Sequence, residues 1–102
     1  MNAESRQGES AVPALTLLVT GNAPRSRRAR ANLTRALKAL DQESIKPLEI
    51  DLLAHPEQSV SYSVFATPAL LMMHDNGEVS VLYGDLSNER KLLAFLGDIG
   101  EE

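Results

Sequence analysis

The side chains that most often carry chemistry are few in this chain, and one of them is missing. No cysteine occurs in its 102 residues. That removes disulfides, thiolate metal sites, cysteine nucleophiles and every Cys-x-x-Cys redox mechanism. His55 and His74 stand far apart, with no carboxylate pair at ligand spacing, so no metal is expected. Neither common phosphate-binding glycine loop is present, and no cofactor is expected. Ser26 lies at the end of Gly21-Asn22-Ala23-Pro24-Arg25-Ser26, where a helix pattern begins. A hydroxyl there can polarise a bound thiol, as in a glutathione-dependent transferase-like domain, or it can cap and pack locally.

The chemistry that stands out is charge. Arg25, Arg27, Arg28, Arg30, Arg35 and Lys38 are six of the ten basic residues, and no acid interrupts them before Asp41. At about 100° per residue, Arg27, Arg28, Arg35 and Lys38 share roughly a third of a helix circumference, opposite Ala29 and Leu33. Four arginines in the first two turns also oppose the helix dipole, which favours acids there. A solvated face is the bland reading. The chain as a whole is acidic, with a net charge of -4 and a pI near 5.1. A positive face gathered on an acidic chain is better explained by an anionic partner surface. Nucleic acid is not the expected partner, because Tyr62, Tyr83, Phe65 and Phe95 are the only aromatic residues available for stacking.

Periodicity supplies the elements that would hold these residues. Met1 to Val12 is polar and aperiodic and reads as a disordered tail, leaving a domain over 13–99 and a frayed acidic end over 100–102. Ala14 to Thr20 is an apolar run of strand length, suited to a central strand covered on both faces. Gly21 to Pro24 stops it, and a helix runs from about Pro24 to Leu40, burying Ala29, Leu33, Ala36, Leu37 and Leu40. Leu48 to Leu53 alternates like a strand. Pro56 opens a short helix through Val60 and Val64. Thr67-Pro68 precedes a second apolar run, Ala69 to Met73, and Val79 to Tyr83 follows after Asp75-Asn76-Gly77. Asn76-Gly77 between two such runs signals a two-residue hairpin, in which both residues take positive φ. Gly84-Asp85-Leu86-Ser87 turns into a last helix over Glu89 to Leu96, with Ser87 or Asn88 as its cap.

The order β-α-β-α-β-β-α, with a right-handed crossover and a hairpin, predicts a four-stranded mixed sheet covered by three helices. That is an α/β, thioredoxin-like architecture. It places Thr67-Pro68 where such folds carry a cis proline facing the first helix. The uncharged run Ser10 to Pro24 contains two prolines and a glycine and cannot cross a bilayer as a helix. The amino terminus shows no secretory pattern. A cytoplasmic protein without membrane association is expected.

Several motifs in register resemble one family, that of the circadian clock protein KaiB. They are Leu17-Leu18-Val19-Thr20-Gly21-Asn22-Ala23-Pro24-Arg25-Ser26, Arg28-Ala29, Glu49-Ile50-Asp51-Leu52-Leu53, His55-Pro56-Glu57, Ala66-Thr67-Pro68-Ala69-Leu70 and Gly84-Asp85-Leu86-Ser87. The resemblance covers roughly residues 14 to 97. It implies a non-enzymatic regulator that binds the ring-shaped ATPase KaiC, with Arg25, Arg27, Arg28, Arg35 and Lys38 on the partner-binding surface. It also implies an alternative ground-state fold that rearranges the second half of the chain and assembles as a tetramer. Asn76, Gly77, Gly84 and Asp85 then stand as residues that control the balance of folds. Two features depart from the clock members. Met72-Met73-His74-Asp75-Asn76-Gly77-Glu78-Val79 replaces their proline-rich basic segment. Ala66 to Leu70 also resembles the KaiB-like sensor domain of the clock histidine kinase SasA, which keeps the thioredoxin-like form. The expected partners are therefore a KaiC-like ATPase, or a histidine kinase or other signalling protein. The chain itself is expected to be a monomer or a weak homo-oligomer.

Overall fold

A computed structural model describes residues 15–64 and 66–97. The expected tail over 1–12 and the frayed end over 100–102 lie outside the described residues. Strand β1, Leu15–Val19, is buried along its whole length. Helix α1, Pro24–Ala39, follows it with proline in the first turn, where the missing N–H costs nothing. Strand β2 is Leu48–Asp51, the short helix α2 is Glu57–Ser61, and strand β3 is Ala69–Met73. Strand β4, Val79–Tyr83, and helix α3, Glu89–Leu96, complete the order.

The sheet runs β2-β1-β3-β4. β1 pairs parallel to β2 and antiparallel to β3, and β3 pairs antiparallel to β4. This is the α/β, thioredoxin-like arrangement expected. Alternation along the strands divides the apolar side chains between two cores. Leu15, Leu17, Val19, Leu70 and Met72 pack under α1 and α3 with Leu33, Leu37, Leu92 and Leu96. Leu18, Ala69 and Leu71 face the other way and meet Val64, Ile50 and Tyr62. A central strand covered on both faces is apolar at nearly every position, which is why β1 shows no alternation in sequence, Thr16 being buried with the leucines.

Four local readings change. Helix α1 ends at Ala39 rather than Leu40. Asp41 takes a left-handed φ of 61°, its N–H reaching the Lys38 carbonyl and that of Gln42 the Leu37 carbonyl. This is a Schellman stop with aspartate where glycine is usual. Strand β2 ends at Asp51, because the Asp51 carboxylate turns the chain by accepting the Leu53 N–H. Helix α2 stops at Ser61, leaving Val60 81% exposed, while Val64 reaches the core from the turn beyond it.

The hairpin also differs in kind. Gly77 has φ +90°, but Asn76 is not among the residues with positive φ. The Gly77 N–H bonds the His74 carbonyl, and the His74 N–H bonds the Glu78 carbonyl. The loop is therefore a turn over His74 to Gly77 closed by a glycine bulge. Asn76 contributes through its side chain, whose Oδ1 accepts the Glu78 N–H at 2.9 Å.

Candidate functional site

Helix α1 is amphipathic in the expected sense. Ser26, Ala29, Leu33, Ala36 and Leu37 are buried, whereas Arg25, Arg27, Arg28, Arg35 and Lys38 are exposed. No acid stands in its first turn. Two cations are held by carboxylates at the edges of this face. Arg30 pairs with Glu49 of β2 at 2.7 Å and also donates to the Gly21 carbonyl and the Asn22 side chain. The bond to Glu49 raises the Arg30 pKa. Arg28 pairs with Asp85 at 3.0 Å. Arg27 donates to the Asn22 carbonyl. Among the described residues Arg25, Arg35 and Lys38 form no ion pair, so their charge faces outward.

A groove of about 520 Å³ flanks this face between α1 and the start of β2. Leu17, Leu33, Leu37, Ile45 and Pro47 line it with apolar surface, and Lys38 and Lys46 stand at its rim with Glu43.

The residues singled out from sequence separate into two groups at opposite ends of the sheet. Where β1 ends and α1 begins, Thr67, Pro68, Gly84 and Asp85 come together. The Thr67–Pro68 peptide is cis. The Thr67 hydroxyl bonds that of Thr20, and the Pro68 carbonyl accepts the Gly84 N–H at 2.9 Å. Asp85 is fastened from three sides. Its carboxylate takes Arg28 and the Ser87 N–H, and its carbonyl takes the Asn32 amide at 2.9 Å. The Ser87 contacts, then Arg28, lower its pKa to about 2. Asn76 and Gly77 lie at the far end, in the loop between β3 and β4, and take no part in this cluster.

Ser26 is not available as a thiol activator. It is 1% exposed, and its Oγ accepts the Thr20 N–H at 3.1 Å. The local packing reading holds, and the glutathione reading loses its reactive group. Among the described residues, no three acidic, histidine or cysteine side chains gather as a metal site, and no helix is long and apolar enough to cross a membrane.

Three contributors were not singled out from sequence. Asp51 binds the Gly21 and Leu53 N–H groups through one carboxylate oxygen, at 2.8 and 2.9 Å, and these bonds lower its pKa. It ties the end of β2 to the turn that starts α1. Gly21 has φ +52° there, and a Cβ would come within 2.9 Å of Leu53. Asn32 could not have been found, since its partner is a backbone atom 53 residues away. Leu86 is the third, a buried non-glycine residue at φ 64°. Only the flanking Gly84-Asp85 hinted at so tight a turn.

The β2-β1-β3-β4 sheet with a cis proline opening β3 has the KaiB-like, SasA-like form of the thioredoxin-like fold. No protein-family model matches the sequence, and no curated protein matches it. Among solved structures, the chain is similar to the N-terminal domain of SasA from Synechococcus elongatus, determined in solution. The two share 20% sequence identity with a TM-score of 0.68, over 98% of this chain and 96% of that domain.

Proposed function

We propose that this chain is a non-enzymatic binding module that docks on a KaiC-like ring ATPase, in a circadian clock or a related signalling or stress pathway. The docking face is the outer side of α1 with Arg25, Arg27, Arg28, Arg35 and Lys38, together with the neighbouring β2 edge. The carrying observation is the charge of Arg25, Arg35 and Lys38 on the exposed side of α1, unpaired among the described residues, with Arg25 in the first turn where the helix dipole disfavours a cation. The apolar groove beside Lys38 supplies a seat for a partner side chain. Likeness of fold to a SasA domain supports a role in protein interaction within signalling. A histidine kinase or another signalling protein is the alternative partner, and a cytoplasmic setting fits either.

The test is binding to a KaiC-type ATPase ring at increasing salt. Exposed charges are screened beyond about 8 Å at physiological ionic strength, so affinity should fall steeply. Arg28→Glu with Arg35→Glu should reduce the association rate at least tenfold. Because Arg28 also holds Asp85, Arg35→Glu with Lys38→Glu serves as the companion that leaves this loop intact. Unchanged affinity in both variants makes α1 a solvated face and nothing more.

A further inference from the structure

The loop between β3 and β4 holds a residue pair that can react with itself. Asparagine occurs at positions 2, 22, 32, 76 and 88, and only Asn76 is followed by glycine. A main-chain nitrogen can attack the side-chain carbonyl of the asparagine before it, and a Cβ on the attacking residue obstructs the approach. Gly77 has no Cβ, and even an added one would meet no atom within 4 Å among the described residues. Asp75, Asn76, Gly77 and Glu78 are all exposed, so water reaches the pair.

The turn brings the reacting groups together. Asn76 Oδ1 accepts the Glu78 N–H at 2.9 Å. That bond closes a ring containing both the Asn76 carboxamide carbon and the Gly77 nitrogen, so the side chain bends back towards its attacker. It also sets a backbone donor on the oxygen that turns negative on attack, within the roughly 2.7–3.1 Å at which such donors stabilise an oxyanion. One contact opposes the reaction. The Gly77 N–H donates to the His74 carbonyl at 2.9 Å and must be released first. A single exposed hydrogen bond slows the step by no more than about tenfold. The other described asparagines are held differently. Asn22 Oδ1 accepts from Arg30, the Asn32 amide donates to the Asp85 carbonyl, and Asn88 Oδ1 accepts the Lys91 N–H. Each precedes a residue with a Cβ.

We propose that Asn76 is a self-modifying site of the folded chain, converting to isoaspartate and aspartate through a cyclic imide formed with Gly77. The Gly77 nitrogen gives its proton to solvent, and its electron pair forms a bond to Asn76 Cγ. The Cγ–Nδ2 bond breaks, and the amide takes a proton from solvent and leaves as ammonia. Water then adds to one of the two imide carbonyls. Addition at Cγ breaks the new bond and leaves aspartate. Addition at the main-chain carbonyl breaks the original peptide bond, and the chain then runs through the side chain as isoaspartate. Nothing is oxidised or reduced. Either product adds a negative charge between Asp75 and Glu78, and isoaspartate lengthens the main chain of the loop by a methylene. The conversion runs one way, so the altered fraction grows with the age of the molecule.

The test ages the full chain beside a synthetic peptide of residues 72–80 in the same mildly alkaline buffer. Peptide mapping by mass spectrometry follows replacement of the Asn76 amide by a hydroxyl, and an isoaspartyl methyltransferase, which methylates isoaspartate, tells the two products apart. Asn76 of the folded chain should convert within about tenfold of the peptide's rate, with isoaspartate the larger product. It should outpace Asn22, Asn32 and Asn88 by at least about tenfold. Gly77→Asn puts a Cβ on the attacking residue and tolerates the left-handed turn; it should slow conversion at Asn76 by at least about tenfold. A melting curve shows whether that variant folds, and if it does not, the comparison of chain with peptide decides alone. Conversion in the chain slower than the peptide's by more than about tenfold overturns the proposal. So does equal conversion at Asn22, Asn32 or Asn88, or a folded Gly77→Asn that converts at the unaltered rate.

Discussion

Gly77 is the position where a single side chain tests how the second half of the fold is held. Its φ of +90° is forced by the bulge that closes the β3–β4 hairpin, and a Cβ there meets no atom within 4 Å. The whole penalty of Gly77→Val is therefore backbone strain. Left-handed geometry costs an L-residue about 1–2 kcal/mol, with β-branched residues at the upper end. Asparagine tolerates this region, so Gly77→Asn should cost well under about 1 kcal/mol. In a domain of this size each kcal/mol moves the melting point by roughly 4–8 °C. Thermal unfolding followed by circular dichroism should show Gly77→Val lower by roughly 5–15 °C and Gly77→Asn by less than about 5 °C. Amide NMR of Gly77→Val should show one set of resonances. The β1–β3 ladder, the Thr20–Thr67 contact and the Arg28–Asp85 pair all persist without the turn. Melting points for Val and Asn variants within about 2 °C of each other would refute the strain argument. A second folded set in slow exchange would instead place a KaiB-type ground-state arrangement within a few kcal/mol.

The Asp85 carboxyl titrates at about 2 in the folded chain, against about 3.9 when unfolded. Its contribution is complete above about pH 5 and is lost as pH falls through 4 towards 2, so Asp85→Asn should flatten the acid limb of a melting-temperature profile. Asp41→Gly relieves the left-handed aspartate at the end of α1, and chemical denaturation should show a gain of about 0.5–1 kcal/mol. Asn32→Ala removes the amide that holds the Asp85 carbonyl. It should cost about 0.5–1.5 kcal/mol, with faster hydrogen exchange confined to residues 84–87.

Element types and their order were legible because burial imposes a period on the chain. The uninterrupted apolar run of β1, the Ala29-Leu33-Ala36-Leu37 stripe and the Leu92-Leu96 pair each report which side must leave water. The basic face of α1 was legible for the same reason, since charges three and four apart share a side whatever the fold. Local turn geometry was less so. Asn76-Gly77 announced a hairpin, yet the three-residue loop with one left-handed residue follows from how β3 and β4 meet across it. Val60 and Val64 looked equivalent in a helical pattern. Only the packing of Leu18, Ala69 and Leu71 decides that Val64 is buried and Val60 is not.

What tertiary structure alone decided is which charges remain available. Nothing in residues 25–38 shows that Arg28 and Arg30 find carboxylate partners while Arg35 and Lys38 do not. The distinction arises because the crossover brings Glu49 beside Arg30, and the turn after β4 brings Asp85 beside Arg28. Ser26 was likewise undecided until the Thr20 N–H claimed its oxygen. Periodicity in a sequence reports how far each residue lies from water. Pairing between residues dozens of positions apart exists only once the sheet has set their register.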